Sequence, residues 1–296
     1  MLDFKIGHAE DIENGTGVTV IINEKGAVGG VCSMGGSPGT REVALLKSEN
    51  TVQAINAIVL SGGSAFGIES TCGVMDYLAE RKVGYKMSET VFVPIVCGAV
   101  LYDLGYKSAK FPDKKMGYSA CEVAKSMNMN SGINVGAGCG ATVGKILGAD
   151  NAYKGGLGVA VAQLDELEVM AVVAVNSLGD IYNPDTNEII AGAQINGEFV
   201  NSCKLMSRGI VFDSVNQNTV IGCVITNAKI TKAQANFLAI QIHDSLALCV
   251  RPTHTIYDGD TIFTMASGKV EADLAVLGEM CVQTMKKAII KSVNNG

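Results

Sequence analysis

The sequence predicts a mixed α/β (α+β) fold in a single domain spanning residues 1–296, on three observations. Strand-like and helix-like segments alternate along the chain, no Pro- or Ser-rich linker divides them, and 48% of the 296 residues are hydrophobic. A chain of that length and apolar content buries a sizeable core. Only 18% of its residues are charged, and 35 glycines imply many tight turns and close backbone approaches.

Residues 18–22 (Val-Thr-Val-Ile-Ile) alternate into a strand, and residues 26–36 read as a second strand with turns. Residues 56–60 form a strand that runs into Ser61-Gly62-Gly63-Ser64. The segment 65–81 then carries Phe66, Val74 and Leu78 at helical spacing, which predicts a strand, a glycine turn and a helix in succession. A strand is expected at 91–96, leading to an apolar turn at 99–104, and a helix around 120–127. Two apolar runs, 158–164 and 168–176, flank Asp165-Glu166 and predict paired core strands.

Residues 179–218 are polar, with turn signals at Asn183-Pro184-Asp185 and Ile195-Asn196-Gly197. They predict a long exposed stretch whose flexibility assists strained backbone geometry beside it. A strand is expected from Thr219 to Thr226. Thr231-Lys232-Ala233-Gln234 has the form of a capping box, and Leu238, Ile242, Leu246 and Cys249 fall on one face of the helix that follows, which ends at Arg251-Pro252. A strand at 261–265 and a helix at 271–293 complete the order.

A formal charge of −6 argues against general binding to nucleic acid or a membrane surface. The nine cysteines are too widely spaced for a CxxC pair and read as small core hydrophobes. His8, His243 and His254 are scattered and offer no HxxxH spacing, so no metal and no organic cofactor is implied. The start Met1-Leu2-Asp3-Phe4-Lys5 lacks a basic region followed by an apolar one, and no apolar run approaches membrane-spanning length. The expectation is a cytoplasmic, reduced protein.

Asn218-Thr219, at the head of Val220-Ile221-Gly222-Cys223-Val224-Ile225, carries two readings. The plain one is the first residue of a strand, where β-branched residues are favoured. The sharper one is a self-cleavage site, because a new N-terminal threonine would carry hydroxyl and α-amino group together, nucleophile beside base. Such an amine titrates at about 7.7–8.0, so a useful fraction accepts a proton at neutral pH.

Gly136-Ala137-Gly138-Cys139-Gly140-Ala141-Thr142-Val143-Gly144-Lys145 resembles a phosphate loop only superficially, since Cys139 and Ile146 occupy its required glycine and hydroxyl positions. A close-approach loop carrying Lys145 into a site fits better. Ser64 lacks the second glycine of a nucleophile elbow and reads as a structural residue at a helix start. Cys139 has no nearby histidine. Asp258-Gly259-Asp260 is either an acidic turn or a carboxylate pair able to hold an ammonium or hydroxyl.

Together these pieces resemble the P1 family, peptidase family S58: the DmpA-type aminopeptidases, grouped with nylon-oligomer hydrolases and β-peptidyl aminopeptidases. The matching stretches are Ile6-Gly7-His8, Thr16-Gly17-Val18-Thr19-Val20, Leu60-Ser61-Gly62-Gly63-Ser64-Ala65-Phe66-Gly67, Val93-Pro94-Ile95-Val96 and Leu101-Tyr102-Asp103-Leu104. They continue with Gly140-Ala141-Thr142-Val143-Gly144-Lys145, Ala174-Val175-Asn176, Asn218-Thr219 and His254-Thr255 with Asp258-Gly259-Asp260-Thr261-Ile262-Phe263. Each fragment is weak alone; their order covers almost the whole chain.

The resemblance implies a four-layer α-β-β-α sandwich shared with ornithine acetyltransferase, and chemistry like that of the N-terminal-nucleophile (Ntn) hydrolases. It implies self-cleavage between Asn218 and Thr219 into an α chain of residues 1–218 and a β chain of residues 219–296, with Thr219 as nucleophile. The threonine and the double aspartate match the nylon-hydrolase branch, whose lysine, asparagine and tyrosine positions correspond to Lys145, Asn176 and Tyr102. In that picture Asn176 and Tyr102 donate to the oxyanion, Lys145 lowers the pKa of the Thr219 amine, and Asp258 and Asp260 orient both cations.

Departures are Cys139, where threonine is frequent, Cys97-Gly98 in place of Pro-Ala, and Asn227 in place of aspartate; none removes a proposed site group. The implied activity is hydrolysis of short peptides, amino-acid amides or esters by a homo-oligomer, a tetramer of cleaved protomers. Open alternatives are β-peptide or 6-aminohexanoate-oligomer hydrolysis, acyl transfer, and an uncleaved binding protein of the same fold.

Overall fold

The computed structural model describes residues 2–210 and 218–294. The main sheet contains β1 (Lys5–Asp11), β2 (Thr16–Ser33), β3 (Gly39–Arg41), β4 (Ala54–Ser61), β5 (Val96–Val100), β6 (Gly156–Leu164), β7 (Leu167–Asn176), β8 (Thr219–Ala228) and β9 (Thr261–Val270). Hydrogen-bonded neighbours run β6-β7-β8-β9-β2-β4-β5-β3, and β1 pairs with β2. The longer helices are α1 (Ser70–Glu80), α2 (Lys114–Glu122), α3 (Lys232–Cys249) and α4 (Leu274–Val293).

Strand β2 makes two layers out of this one path. Its first part pairs with β4 through residues 18–22; beyond a register shift between Ile22 and Ala27, residues 28–33 pair with β9. The period-two alternation of the strands then assigns each side chain to a layer. On β8, Val220 and Val224 pack outward with Leu238, Ile242, Met285 and Ile289 of α3 and α4. Ile221, Cys223 and Ile225 face inward, where they join Ile21, Ile58 and Leu60 from β2 and β4. Val18, Val20 and Ile22 of β2 cover the far side, against Val74, Leu78 and Ala120 of α1 and α2. The order of layers is α-β-β-α, as the resemblance implies. Each fully buried aliphatic side chain contributes about 1.5–3 kcal/mol to holding the layers together.

Several sequence expectations hold in detail. β6 and β7 form a hairpin from Gly156↔Val175 to Leu164↔Leu167. Thr231 and Gln234 form the full capping box of α3, whose Leu238, Ile242, Leu246 and Cys249 are all buried. Cys97, Cys121, Cys139, Cys223, Cys249 and Cys281 are buried, while Cys203 is exposed and Cys32 and Cys72 are intermediate.

Other expectations need correction. The two strands expected at 18–22 and 26–36 are one, because a local register shift absorbs the Glu24-Lys25-Gly26 interruption. The strand expected at 91–96 is split: Phe92–Val93 pairs with Tyr85–Lys86, and a second strand, buried throughout, runs Val96–Val100. The helix expected at 120–127 is Lys114–Glu122, started by the Asp113 side chain accepting from Met116 N. Likewise α4 starts at Leu274 because Asp273 caps it through Ala275 N and Val276 N. Phe66, counted with the apolar face of its helix, is exposed and stacks on Phe111. Ser64 starts a one-turn helix with a φ of 53°, but no side-chain cap is made there.

The largest correction concerns residues 179–210, expected to be a long exposed stretch. Asp180–Asn183, Glu188–Ala191 and Val250–Arg251 form a small sheet, and a short helix spans Ser202–Ser207. Asp180 holds this unit together by accepting from Ala193 N, Ser202 N and Ser202 Oγ. The polar composition serves a buried hydrogen-bonded hub around Asp180, while residues 185–188, 195–199 and 207–210 are exposed as expected. The remainder of the expected flexible stretch, residues 211–217, lies outside the described residues. Among the described residues, no helix is long and apolar enough to cross a membrane.

Candidate active site

The site forms where β7, β8 and the turn before β9 end together. Antiparallel pairing of β7 with β8 runs from Val169↔Thr226 to Asn176↔Thr219, so the register of this ladder sets Thr219 opposite Asn176. Parallel pairing of β8 with β9 begins at Ile221↔Thr261, and a bridge joins Asn218 to Asp258. Ladder pairing therefore brings together residues 40 or more positions apart in sequence.

Lys145 arrives on the loop after Gly144. That glycine has a φ of 70°, and a Cβ on it would lie 2.0 Å from Ala193 N, so only glycine allows the approach. Gly144 N and Lys145 N bond to the carbonyls of Gly179 and Leu178 at 3.1 and 3.0 Å, just beyond the end of β7. The lysine Nζ then donates to Asn176 Oδ1 at 2.9 Å and to Asn176 O at 3.1 Å. Burial lowers the Lys145 pKa to about 7, against the opposing fields of Asp258 and Asp103. The group thus sits near the midpoint of its titration at neutral pH.

Asn176 is fully buried and bonded on both ends of its amide. Oδ1 also accepts from Thr142 N at 3.0 Å, and Nδ2 donates to Tyr102 O at 2.9 Å. Tyr102 therefore meets Asn176 through its backbone carbonyl, and the residue lines the neighbouring cavity. The Thr219 hydroxyl donates to the carbonyl oxygen of Asn218, which also accepts from Gly259 N at 3.3 Å. The Asn218 carbonyl oxygen thus carries two donors, one from the Thr219 side chain and one from the Gly259 backbone.

The carboxylate pair is split between two tasks. Asp258 is buried, accepts from Thr255 N at 3.0 Å and Thr255 Oγ1 at 2.5 Å, and has its pKa raised to about 6 by burial and then by Asp260. Asp260 Oδ1 accepts from Val220 N at 2.7 Å, and its Oδ2 from Thr253 and His254. In the uncut chain Asp258 acts on Lys145 through its field, and the hydrogen bonds of Asp260 hold the backbone after Thr219 and His254.

A cavity of about 650 Å³ opens beside this cluster, lined among others by Tyr102, Asp103, Tyr106, Thr142, Lys145 and Lys154. Thr219 and the two aspartates do not line it. With the Asn218-Thr219 peptide intact, Thr219 is only 5% exposed. Reading the sequence missed two wall residues. Asp103 Oδ1 and Oδ2 accept from Gly63 N at 2.7 Å and Thr16 Oγ1 at 2.8 Å, and burial raises its pKa to about 6. Lys154 Nζ donates to the carbonyls of Gly138, Ala141 and Gly155 at 2.9–3.0 Å, and burial lowers its pKa to about 8. Asp103 stands next to Tyr102 in Leu101-Tyr102-Asp103-Leu104, a usable signal; Lys154 carries none in sequence.

Comparison with known proteins agrees with this placement of the fold. The pattern of Peptidase family S58 matches residues 3–296. An uncharacterized aminopeptidase of Mycobacterium tuberculosis is 38% identical over 267 residues, covering 86% of this chain and 74% of its own. A 6-aminohexanoate-oligomer endohydrolase of Paenarthrobacter ureafaciens is 29% identical over 316 aligned positions, covering 97% and 83%. The structure of an L-aminopeptidase D-Ala-esterase/amidase from Ochrobactrum anthropi, a variant of the Ntn-hydrolase fold, superposes with a TM-score of 0.73 at 14% identity, covering 98% of this chain and 83% of its own.

Proposed function

Since the chain belongs to peptidase family S58, we propose that it is a self-processing amide hydrolase whose nucleophile is Thr219. The family assignment supports an aminopeptidase or amidohydrolase; the finer reading rests on one juxtaposition. The Thr219 hydroxyl lies on the Asn218 carbonyl oxygen, opposite Asn176, whose amide oxygen receives Lys145 Nζ at 2.9 Å.

In the first stage the Thr219 hydroxyl attacks the Asn218 carbonyl carbon, with Gly259 N–H on the developing oxyanion. The C–N bond breaks, its nitrogen leaves protonated as the Thr219 amine, and water opens the resulting ester to an α chain of residues 1–218 and a β chain of residues 219–296. In the second stage the free amine takes the Thr219 hydroxyl proton as the hydroxyl attacks a substrate amide, and returns it to the leaving amine. Water, giving a proton to the same amine, then attacks the acyl-enzyme ester; the C–O bond to Thr219 breaks, and the acid leaves as the hydroxyl regains its proton. In this reading Asn176 Nδ2, turned from the Tyr102 carbonyl it meets in the uncut chain, and the Tyr102 hydroxyl donate to the oxyanion. A Lys145 that titrates near 7 keeps the neighbouring amine in its basic form while charged, and accepts a proton while neutral. Asp258 and Asp260 hold the turn and the backbone on either side.

Short peptides, amino-acid amides or esters are the substrates of this reading. The 29% identical 6-aminohexanoate-oligomer hydrolase supports ω-amino-acid oligomers as a second class. Exposed Phe237, Ile240 and Leu248, spaced along one face of α3, support a homo-oligomer; a tetramer of cleaved protomers in the cytoplasm completes the proposal. Intact mass under denaturing conditions tests its core. Two fragments meeting at Asn218 and Thr219 in the wild type and one chain in Thr219→Ala are expected; a wild type that stays whole on prolonged incubation overturns the threonine mechanism. Product analysis with and without an acceptor amine separates hydrolysis from acyl transfer.

A further inference from the structure

His243 and His254, far from any metal-type spacing in sequence, stack edge to face with ring centroids 4.8 Å apart behind Asp260. Three donors converge on Asp260 Oδ2: His254 Nδ1 at 2.7 Å, His254 N at 3.2 Å and Thr253 Oγ1 at 3.2 Å. Its other oxygen, Oδ1, accepts from Val220 N at 2.7 Å, the amide next along the chain from Thr219. One carboxylate thus connects a histidine to the backbone of the proposed nucleophile.

The hydrogen-bond partners fix the histidine tautomers. His243 Nε2 lies 3.1 Å from Cys32 O, and a carbonyl only accepts, so that nitrogen carries the proton. By the same logic His254 carries its proton on Nδ1, toward the carboxylate. His254 Nε2 and His243 Nδ1 then hold buried lone pairs, and neither finds a hydrogen-bond partner among the described residues. Leaving buried acceptors unmatched is costly, and His254 also adopts a left-handed φ of 54° that few residue types tolerate. A segment that needed only to turn before β9 would carry neither feature.

We infer that His254 is a positioning residue, holding Asp260 by Oδ2 so that Oδ1 clamps the Val220 amide and aligns Thr219 for attack. This rests on the N-terminal-threonine reading. The imidazole touches neither the scissile bond nor the cavity; it acts through Asp260. Asparagine is the conservative replacement, since its side-chain N–H stands near the position of Nδ1–H and it tolerates positive φ. Glycine keeps the backbone conformation and removes the donor.

The test compares His254→Gly and His254→Asn with the wild type in the full chain, by the time course of fragment appearance and by kcat and KM of the processed enzyme on an amino-acid anilide. Losing a hydrogen bond to a charged group predicts that His254→Gly lowers the processing rate and kcat about 10- to 100-fold, with KM little changed. His254→Asn restores most of the loss. Equal rates in His254→Gly and wild type, or equal losses in two folded variants, overturn the assignment. Nitrogen-15 spectra of the imidazoles in uncut Thr219→Ala give a readout that does not depend on how the variants fold: an Nδ1–H tautomer for His254 is expected, and an Nε2–H tautomer overturns it. A cut, active wild type with either adverse result removes only the role of His254. A wild type that is never cut removes the role and the threonine mechanism together.

Discussion

Two lysines line the same cavity and differ in what they hold. Lys154 gives its three donors to the carbonyls of Gly138, Ala141 and Gly155, tying the glycine loop to the start of β6. Lys145 gives its donors to the side chain and carbonyl of Asn176, the register partner of Thr219. Burial depresses both, to about 8 and about 7. A perturbed pKa therefore marks burial in either case, and the bonding partner separates a loop anchor from a candidate catalytic group.

The strongest way to break the comparison is Lys145→Met, expected to lower kcat/KM on an anilide about 100- to 10,000-fold, the range for losing a proton-transfer group, while thermal stability does not fall. Lys154→Met is expected to show the opposite balance. Three carbonyls lose a charged donor, so stability falls by about 2–3 kcal/mol and Tm by several degrees, with activity reduced about tenfold or less through the displaced loop. Similar activity losses in the two folded variants would erase the distinction.

The pH dependence sharpens it. The Lys145 pKa falls from an ordinary 10.5 unfolded to about 7 folded, so the unfolded state binds more protons between those values. Stability should rise with pH across that window, and the rise should weaken in Lys145→Met when followed by urea unfolding. Hydrolysis should rise with pH through about 7 in the wild type if neutral Lys145 accepts the proton. Retention of that limb in Lys145→Met would assign it to another group.

The smallest expected effect comes from Asp258. Its carboxyl is raised from 3.8 to about 6 by burial and by Asp260, so the unfolded state ionises first and stability falls as pH rises through that interval. Asp258→Asn removes the buried charge and keeps an acceptor for Thr255. At pH 8 it should gain roughly 2–4 °C in Tm, the shift that about 1 kcal/mol produces in a large domain, while processing slows. Below pH 4 the difference from the wild type should vanish.

How much of this was legible in the sequence differs between strands and loops. The β6–β7 hairpin, the start of β8 at Thr219 and the capping box at Thr231 all appear as local patterns, because alternation, turn residues and capping are interactions between near neighbours. The error over residues 179–210 has the opposite cause. Asp180 satisfies Ser202 and Ala193 across a gap in sequence, so a buried hub looks like an exposed polar loop. Similarly, Lys154 is one lysine among many until the carbonyls around it are known.

For the site, the sequence alone nominated Thr219, Lys145, Asn176, Tyr102, Asp258 and Asp260, through fragments whose order resembles a family. Tertiary structure decided their arrangement: Asn176 bonds to the Tyr102 carbonyl, Asp260 turns to the Val220 amide and His254, and the cavity meets Lys145 but not the uncut Thr219. What the sequence determined by itself was the presence and order of the main core strands and helices and the residue types at their ends, because periodicity and turn chemistry act locally. Which side chains meet, and hence which titrate near neutrality, was left to the ladder registers and the packing of two sheets, since hydrogen-bond partners and desolvation depend on contacts between residues distant in the chain.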